Sequence, residues 1–208
     1  MVVISGVCWT IAYIELIRGG FRDKTCGMPL FALGLNFAWE VLYSIDGLFI
    51  NRAFVLAQSV ANVAWACCDV AILVSFFKFG RGLVPKGARS WFVPYTLLAL
   101  ATCAVAQLAF YLHFDNVVAA SQYSAFAQNA VMSILFLNTL LNQDGAPGQS
   151  MLMAVCKCVG TVAPTILGGI VEGFNIYILL MGAICLVFDV TYIVCLGKLK
   201  QVEKVASH

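Results

Sequence analysis

The stretch Leu35-Asn36-Phe37-Ala38-Trp39-Glu40-Val41-Leu42-Tyr43 places an acid in the middle of an apolar run, Met28–Ile50. A helix that crosses a bilayer needs roughly 20 apolar residues, so this run is long enough. An ionisable group near mid-bilayer costs at least ~2.5 kcal/mol, which means that Glu40 needs a partner or a function. On a helix, Asn36 and Tyr43 share its face. The stretch therefore predicts a membrane-embedded acid, either functional or hydrogen-bonded between helices as a structural contact.

The composition is that of an integral membrane protein. Hydrophobic residues make up 62% of the 208 residues and charged residues only 11%, whereas a soluble domain has ~25% charged residues. No polar segment is long enough for a separate domain, so we expect one all-α domain over residues 1–208. The basic residues lie in loops, and the net charge of +2 gives no sign of a nucleic-acid partner. The first apolar segment lacks a preceding basic region, which favours a retained span over a cleaved signal peptide.

Most of the nine cysteines lie inside apolar runs, where a thiol packs as a small hydrophobe. Cys156 and Cys158 are two residues apart and face different sides of a helix. No CxxC pair with the spacing of a zinc site occurs in the sequence. We therefore predict no metal site, no cofactor and no disulfide framework.

Seven apolar segments can be distinguished, which predicts a seven-transmembrane helical bundle. Pro29 stands near the first turn of the second segment, where proline is tolerated. Pro164 and Gly168-Gly169 predict a kink in the sixth. The predicted segments are Val2–Ile17, Met28–Ile50, Val55–Phe79, Trp91–Leu112, Val117–Leu141, Met151–Val171 and Asn175–Leu196.

The basic residues predict how this bundle is oriented. Ten of the 12 Lys and Arg residues fall in the first loop, the third loop and the C-terminal tail, which share one side of a seven-span bundle. The opposite side has Arg52 alone, and Lys157 lies inside the sixth segment. By the positive-inside rule, the N-terminus is lumenal and the C-terminus cytoplasmic.

Three acids are predicted to reach a similar depth. Glu40 lies 12 residues from the cytoplasmic start of the second segment, Asp69 lies 10 from the cytoplasmic end of the third, and Asp189 lies 9 from Lys198 at the cytoplasmic end of the seventh. At ~1.5 Å per residue, these depths differ by only about 5 Å, so we expect the three carboxyl groups to meet in one layer. Glu15 and Lys157 lie nearer the cytoplasmic surface, and we expect both side chains to extend to it. The residues that share a helix face with one of the three acids, or flank it, are Asn36, Trp39, Tyr43, Asn62, Trp65 and Tyr192.

A layer of this kind suits acid chemistry. A carboxyl group in apolar surroundings resists ionisation, more so beside a second carboxyl, and can then act as a general acid. Aromatic faces stabilise cations by ~0.5–2 kcal/mol each. An acid with an aromatic lining suits the protonation of a lipophilic alkene or epoxide, although each aromatic ring could equally be ordinary packing. The aromatic candidates are Trp39, Tyr43, Trp65, Phe188 and Tyr192.

The segment Pro29–Glu40 resembles the signature of the small fungal integral-membrane terpene cyclases of meroterpenoid and indole-diterpene pathways, the Pyr4/PaxB-like family. The segments Asn62–Asp69 and Phe188–Ile193 agree with it, as does the seven-span plan. The resemblance implies a metal-independent cyclisation of a lipophilic prenylated small molecule, in which a prenyl chain is protonated, folds through carbocations and loses a proton. It also implies that Glu40 and Asp189 are the catalytic acids. The sequence has neither a DDxxD nor a DxDD motif.

The resulting hypothesis is a transmembrane terpene cyclase, which we expect in the endoplasmic reticulum membrane. Glu40 and Asp189 form an acid pair, Asn36 and Asn62 position the acids, and Asp69 holds the network. The initiating group (epoxide or alkene), the donating acid, the terminal base and the prenyl chain length stay open.

Two other functions remain as alternatives. A proton-coupled transporter would use the same acids as a relay, but the sequence lacks the internal repeats and paired broken helices that transporters often show. A retinal protein needs a Schiff-base lysine inside a span. The seventh segment has none, which disfavours a rhodopsin without excluding another kind of receptor.

Overall fold

The computed structural model describes residues 1–143 and 145–206, and within these ranges it consists of seven long helices and no strand. This confirms the predicted all-helical class and the number of helices. A short 3₁₀ helix, Lys86–Trp91, precedes the fourth long helix. The long helices are α1 (Val2–Arg22), α2 (Leu30–Phe49), α3 (Leu56–Leu83), α4 (Phe92–His113), α5 (Val117–Leu141), α6 (Met151–Ile166) and α7 (Ile176–Ala206).

The helices α1, α3 and α7 continue beyond their predicted ends. Each runs on through basic residues, which are good helix formers and are favourable near the negative end of the helix dipole. Side chains cap three of the helix starts, and at α7 Asn175 Oδ1 accepts from Tyr177 N–H at 3.1 Å and from Ile178 N–H at 3.2 Å. The side-chain oxygen of Asn116 accepts hydrogen bonds from the first turn of α5, and Ser150 Oγ accepts one from Met153 N–H at 3.0 Å in α6.

Six of the helices are long and apolar enough to cross a membrane, as judged from the described residues. The helix outside this group is α2, which is 20 residues long and carries Asn36, Glu40 and Asp46. All three of these polar side chains are buried inside the protein. By contrast, α4 exposes apolar side chains such as Leu98 and Val105 on its outer face. The polar face of α2 thus turns inward, while apolar faces of the surrounding helices face outward, as expected in lipid.

The packing of the helices places α1, α2, α3, α5, α6 and α7 around a shared interior. Helix α2 packs against α3, α4 and α5, whereas α1 packs against α3 and α6. Helix α7 closes the arrangement by packing against α5 and α6. Met132 and Phe136 of α5, Met153 of α6 and Tyr192 of α7 belong to one buried cluster at the centre. Side chains from helices that are distant in sequence therefore meet in this interior.

The predicted irregularity in the sixth segment is present. Regular α-helix ends at Ile166, and a π-helical turn follows over Leu167–Val171, closed by a hydrogen bond from Glu172 N–H to Leu167 O at 2.9 Å. Pro164 has no N–H to donate within the helix, which weakens the regular pattern just before the turn. The irregular part lies beyond Lys157, which leaves the part of α6 around Lys157 regular.

Two loops at the same end of the bundle are joined. Gly148 N–H, in the loop before α6, donates to Asp23 Oδ2 at 2.8 Å, just after α1. Gln149 Nε2 donates to Gly27 O at 3.3 Å. Gly148 has a φ of 74°, and a Cβ atom there would lie 2.7 Å from the Thr25 side chain. We call this pair of loops the clasp, and it closes the bundle at the end where α1, α2, α5 and α6 meet.

Candidate active site

Glu40 belongs to a buried polar cluster built by three helices. Tyr13 of α1 donates its phenolic hydrogen to Glu40 Oε1, and Asn36 donates to the Tyr13 oxygen. Asn36 Nδ2 also lies 3.0 Å from Glu40 Oε1 and 2.9 Å from Asp69 Oδ2 on α3. We call Tyr13, Asn36, Glu40 and Asp69 the acid cluster. The predicted meeting of Glu40, Asn36 and Asp69 is confirmed.

The orientation of the Asn36 amide follows from the neighbouring helices. Gln107 Nε2 donates to Gln128 Oε1 at 2.7 Å, and Gln128 Nε2 donates to Asn36 Oδ1 at 3.4 Å. The amide oxygen is thereby occupied, so the NH₂ group points at the acids. An NH₂ group has two hydrogens, whereas three acceptors surround this one. The two carboxyl groups and the phenol therefore share two hydrogens of one amide and lie close together around it.

Two carboxyl oxygens of the cluster keep free hydrogen-bonding capacity. Glu40 Oε2 and Asp69 Oδ1 are buried and have no hydrogen-bond partner among the described residues. Two carboxylates that converge on one amide in an apolar interior would repel each other if both were ionised. One proton shared between the two carboxyl groups removes this repulsion. The cluster is therefore suited to holding an acidic proton in the apolar interior.

Asp189 lies in a different polar site. Lys157 Nζ is 2.7 Å from Asp189 Oδ1 and 2.6 Å from Ser133 Oγ, and both charged side chains are buried. The prediction that Lys157 extends to the cytoplasmic surface is wrong, because a carboxylate and a hydroxyl compensate its charge inside the bundle. Among the described residues, no hydrogen bond joins Asp189 to Glu40 or Asp69. The predicted single layer of three carboxyl groups is therefore two separate sites.

A small, mostly apolar cavity lies between the acid cluster and the ion pair of Lys157 with Asp189. Its volume is about 10 Å³, room for about one water molecule. Tyr13 lines it from the acid cluster and Lys157 from the ion pair, whereas Glu40 and Asp189 do not line it. Glu40 and Asp189 are thus separated from the cavity by their hydrogen-bond partners, Tyr13 and Lys157. The other lining residues are Trp9, Ala12, Leu16, Met28, Met132, Phe136 and Met153.

Trp39 and Tyr43, predicted beside Glu40, lie on the side of α2 that faces α5. Trp39 Nε1 donates to Ser121 O at 3.0 Å, and its ring lies 5.0 Å from the Tyr43 ring. The Tyr43 hydroxyl is 3.4 Å from Ser124 Oγ. Neither ring lines the cavity. Both side chains contact α5, and their predicted role beside Glu40 stays a prediction.

The other predicted aromatic side chains stand behind the cavity lining. Trp65 Nε1 donates to Thr10 Oγ1 at 3.2 Å, and the ring of Trp65 stacks on that of Tyr13 at 6.4 Å. Tyr192 donates its phenolic hydrogen to Gln149, and its ring lies edge-on to Phe136 at 5.8 Å. Phe188 is half-buried and packs against the central cluster. Their contact with the cavity is therefore indirect, whereas Trp9 and Phe136 line it.

Among the described residues, Asn62 forms no hydrogen bond with the acids. Its Oδ1 accepts a hydrogen bond from Gln58 at 2.8 Å, one turn earlier on α3. Asn62 lies seven residues before Asp69, which is ~10 Å along the helix axis. A shared helix face does not by itself bring side chains two turns apart into contact, and the predicted role of Asn62 in positioning the acids stays a prediction.

Two residues that sequence reasoning left out are central to the site. Tyr13 stands on an α1 stripe with Trp9, Ala12 and Leu16, at i, i+3, i+4 and i+7, and this spacing could have marked it as interior. Lys157 had the stronger signal, because an ionisable residue inside an apolar segment is by default a functional candidate. The short distance of Lys157 from the cytoplasmic end of its segment instead favoured a side chain that extends to the membrane surface.

A larger apolar groove lies away from the acids, at the start of α4. It has a volume of about 540 Å³ and none of its lining residues carries a carboxyl group. The small cavity is the better candidate site because two buried polar sites adjoin it. The groove is lined by Val84, Ala88, Trp91, Phe92, Pro94, Tyr95 and Leu98.

Comparison with known proteins identifies one family. Residues 1–202 match the family model of the Pyr4-like transmembrane terpene cyclases. The chain is 32% identical to the Pyr4-family terpene cyclase mfmH of Annulohypoxylon moriforme over 78% of this chain and 66% of that protein. It is 43% identical to the terpene cyclase ascF of Acremonium egyptiacum, over 36% of this chain and 26% of that one. It is 21% identical to the terpene cyclase pyr4 of Aspergillus fumigatus, over 96% of this chain and 85% of that protein.

The aligned part of the chain thus spans just under two thirds of the length of mfmH and about a quarter of that of ascF. No solved structure matches the chain significantly.

Proposed function

We propose a terpene cyclase activity for this protein, because the chain belongs to the family of Pyr4-like transmembrane terpene cyclases. The reaction is the proton-initiated cyclisation of a prenyl chain on a meroterpenoid or related lipophilic molecule. The acid protonates a terminal epoxide or alkene, the chain closes rings through carbocations, and a final deprotonation ends the reaction without a metal ion. The observation that supports this most is the buried acid cluster, which opens through Tyr13 onto an apolar cavity.

Glu40 supplies the proton in this proposal. Glu40 and Asp69 converge on Asn36, an arrangement that holds one proton between two carboxyl groups. Asp189 instead forms an ion pair with Lys157 and has no proton to give while that pair is intact. Its role is to hold the Lys157 ammonium at the far side of the cavity. The acid pair implied by the resemblance thus becomes one donor site and one fixed ion pair.

The cavity must enlarge for a prenyl chain to enter, since it has room for about one water molecule. Three of its lining residues are Met28, Met132 and Met153. Methionine has three rotatable side-chain bonds and readily changes shape, so these side chains can move aside for the substrate. Trp9 and Phe136 then present aromatic faces to carbocations in the enlarged space.

We also propose that the N-terminus is lumenal, the C-terminus cytoplasmic and the protein resident in the endoplasmic reticulum. The support for this orientation is the placement of ten of the 12 Lys and Arg residues on one side. A glycosylation acceptor appended to the N-terminus should be glycosylated in microsomes, whereas one appended to the C-terminus should not. The reverse pattern would contradict this orientation.

The activity is tested in microsomes that contain the expressed protein. A panel of farnesyl- and geranylgeranyl-substituted aromatic compounds, each with its terminal alkene or terminal epoxide, is added together with a chelator. We expect an isomer of unchanged mass from at least one compound, because protonation and deprotonation leave the formula intact. If the protein is present in the membrane and no compound is converted, the proposed function is wrong for these substrates.

A further inference from the structure

We propose that Tyr13 is the catalytic residue that transfers the proton to the substrate, and that Glu40 supplies the proton through it. This inference rests on the proposed function. Of the four residues in the acid cluster, Tyr13 is the one that lines the cavity. Its hydroxyl is hydrogen-bonded to Glu40 Oε1. A substrate in the cavity would therefore meet the Tyr13 side chain before it met Glu40.

The surroundings of Tyr13 hold its hydroxyl in place. The Trp65 ring stacks on the Tyr13 ring at an interplanar angle of 22°. Asn36 donates to the phenolic oxygen while that oxygen donates to Glu40. A phenol can donate and accept at once, which is what a proton relay requires. Tyr13 is 3% exposed, so bulk water does not compete for the relay.

The transfer conserves atoms and charge. In the resting structure the Tyr13 hydroxyl donates to Glu40 Oε1, so the transfer begins when this hydrogen bond reverses: the Tyr13 hydrogen turns to the substrate in the cavity and the protonated Glu40 donates to the phenolic oxygen. The Tyr13 O–H bond then breaks toward the substrate while the proton of Glu40 forms a new O–H bond on the phenolic oxygen. The released proton forms an O–H bond on the epoxide, whose C–O bond opens to leave a carbocation, or a C–H bond on an alkene carbon. Glu40 is left as a carboxylate and Tyr13 as a neutral phenol. Loss of a proton from the last carbocation balances the proton that entered, and nothing is oxidised or reduced.

Lys157 also lines the cavity, but two of the three hydrogens of its ammonium group are committed. Asp189 Oδ1 and Ser133 Oγ accept from Nζ at 2.7 and 2.6 Å. A proton lost from Nζ would leave Asp189 as a buried carboxylate without its counter-ion, which is costly. Tyr13 has a donor behind it that replaces its proton at once. The geometry thus favours the phenol over the ammonium.

The test compares Tyr13→Phe with Tyr177→Phe in the microsomal assay. Tyr177 is the matched control, because its hydroxyl donates to Tyr123 O at 3.0 Å and Tyr177 does not line the cavity. We expect Tyr13→Phe to lower kcat at least 100-fold with little change in KM, as for loss of a general acid. Tyr177→Phe should stay within threefold of the wild type. A Tyr13→Phe variant that cyclises within threefold of the wild type would overturn the relay.

A double variant and an unnatural residue guard against a purely structural effect. If the two residues act as one unit, Tyr13→Phe combined with Glu40→Gln should lose no more activity than either single change. Losses that multiply would contradict a relay. Replacing Tyr13 with 3,5-difluorotyrosine keeps the shape but makes the phenol more acidic, so kcat should change severalfold, whereas an unchanged kcat would refute proton transfer at Tyr13. An inactive wild type would instead count against the proposed function itself.

Discussion

Glu40 and Asp189 are both buried acids at the centre of the bundle, yet their neighbours give them different chemistry. Glu40 faces a second carboxyl group, an amide and a phenol. Asp189 faces an ammonium group. A shared proton is the low-energy state of the first arrangement and a fixed ion pair that of the second. At the scale of single residues, the partner of an acid matters more to its role than its depth in the membrane.

The buried ion pair predicts that Asp189→Asn destabilises the protein. The change leaves the Lys157 ammonium buried without a counter-ion, which costs about 3–5 kcal/mol in the free energy of unfolding. The double variant Asp189→Leu with Lys157→Met removes both charges and should recover most of that loss. Denaturant unfolding of the purified protein in detergent measures both effects.

The control for this prediction is Glu15→Gln, which breaks the more exposed pair of Glu15 with Arg18. An exposed pair contributes about 0–1 kcal/mol, so this variant should unfold close to the wild type. If Asp189→Asn were as stable as the wild type, Asp189 and Lys157 would not form a charged pair in the folded protein.

At the scale of helices, apolar runs in the sequence were enough to find all seven. The turn between Ile166 and Glu172 was also predictable, because Pro164 and the Gly168-Gly169 pair weaken regular helix there. The helix ends were less predictable, since basic residues both end a membrane span and continue a helix into the interface. This is why α7 runs to Ala206 rather than to Leu196.

The sequence did not predict which helices pack against each other. Counting residues places Glu40, Asp69 and Asp189 at a similar depth, but depth does not say which face meets which neighbour. Asp69 meets Asn36 because α3 packs on α2, whereas Asp189 meets Lys157 because α7 packs on α6. The acid cluster was therefore partly predictable from its motif, and the ion pair was not.

The clasp between the loops at residues 23–27 and 145–149 predicts a dependence of stability on pH. The Arg22 guanidinium lowers the pKa of Asp23 to about 2, and the N–H of Gly148 adds to this effect. Because the folded pKa lies below the ordinary value near 4, the contribution of Asp23 is fully present above pH 4. It is lost as the pH falls from about 4 to 2. The ion pair of Asp23 with Arg22 is partly exposed, so its contribution is on the order of 1 kcal/mol or less.

Thermal unfolding of the wild type and of Asp23→Asn in detergent, at pH 6 and at pH 3, measures this contribution. Asparagine keeps an acceptor for Gly148 N–H and removes the charge alone. We expect the variant to unfold at a lower temperature at pH 6 and the difference to shrink at pH 3. A difference that stays the same at both pH values would show that the charge of Asp23 does not stabilise the clasp.

At the scale of the whole molecule, the bundle keeps a nearly filled interior between two polar sites. The residues that line this interior come from α1, α5, α6 and the segment before α2, which are distant in sequence. A motif confined to one helix could therefore identify the acid, but not the surface that meets the substrate. The match to the Pyr4-like transmembrane terpene cyclases likewise extends over residues 1–202 and thus over nearly the whole bundle.

The central claim is that Glu40 supplies the proton that starts cyclisation. The most direct measurement is the rate of isomer formation by Glu40→Gln in microsomes, beside the wild type and the control Glu15→Gln. Glutamine keeps the size of the side chain and its acceptor for Tyr13 but has no acidic proton. We expect a loss of at least 100-fold for Glu40→Gln, with the protein still folded and Glu15→Gln fully active. If Glu40→Gln formed the cyclised isomer at the rate of the wild type, the proton would come from elsewhere and the account would be wrong.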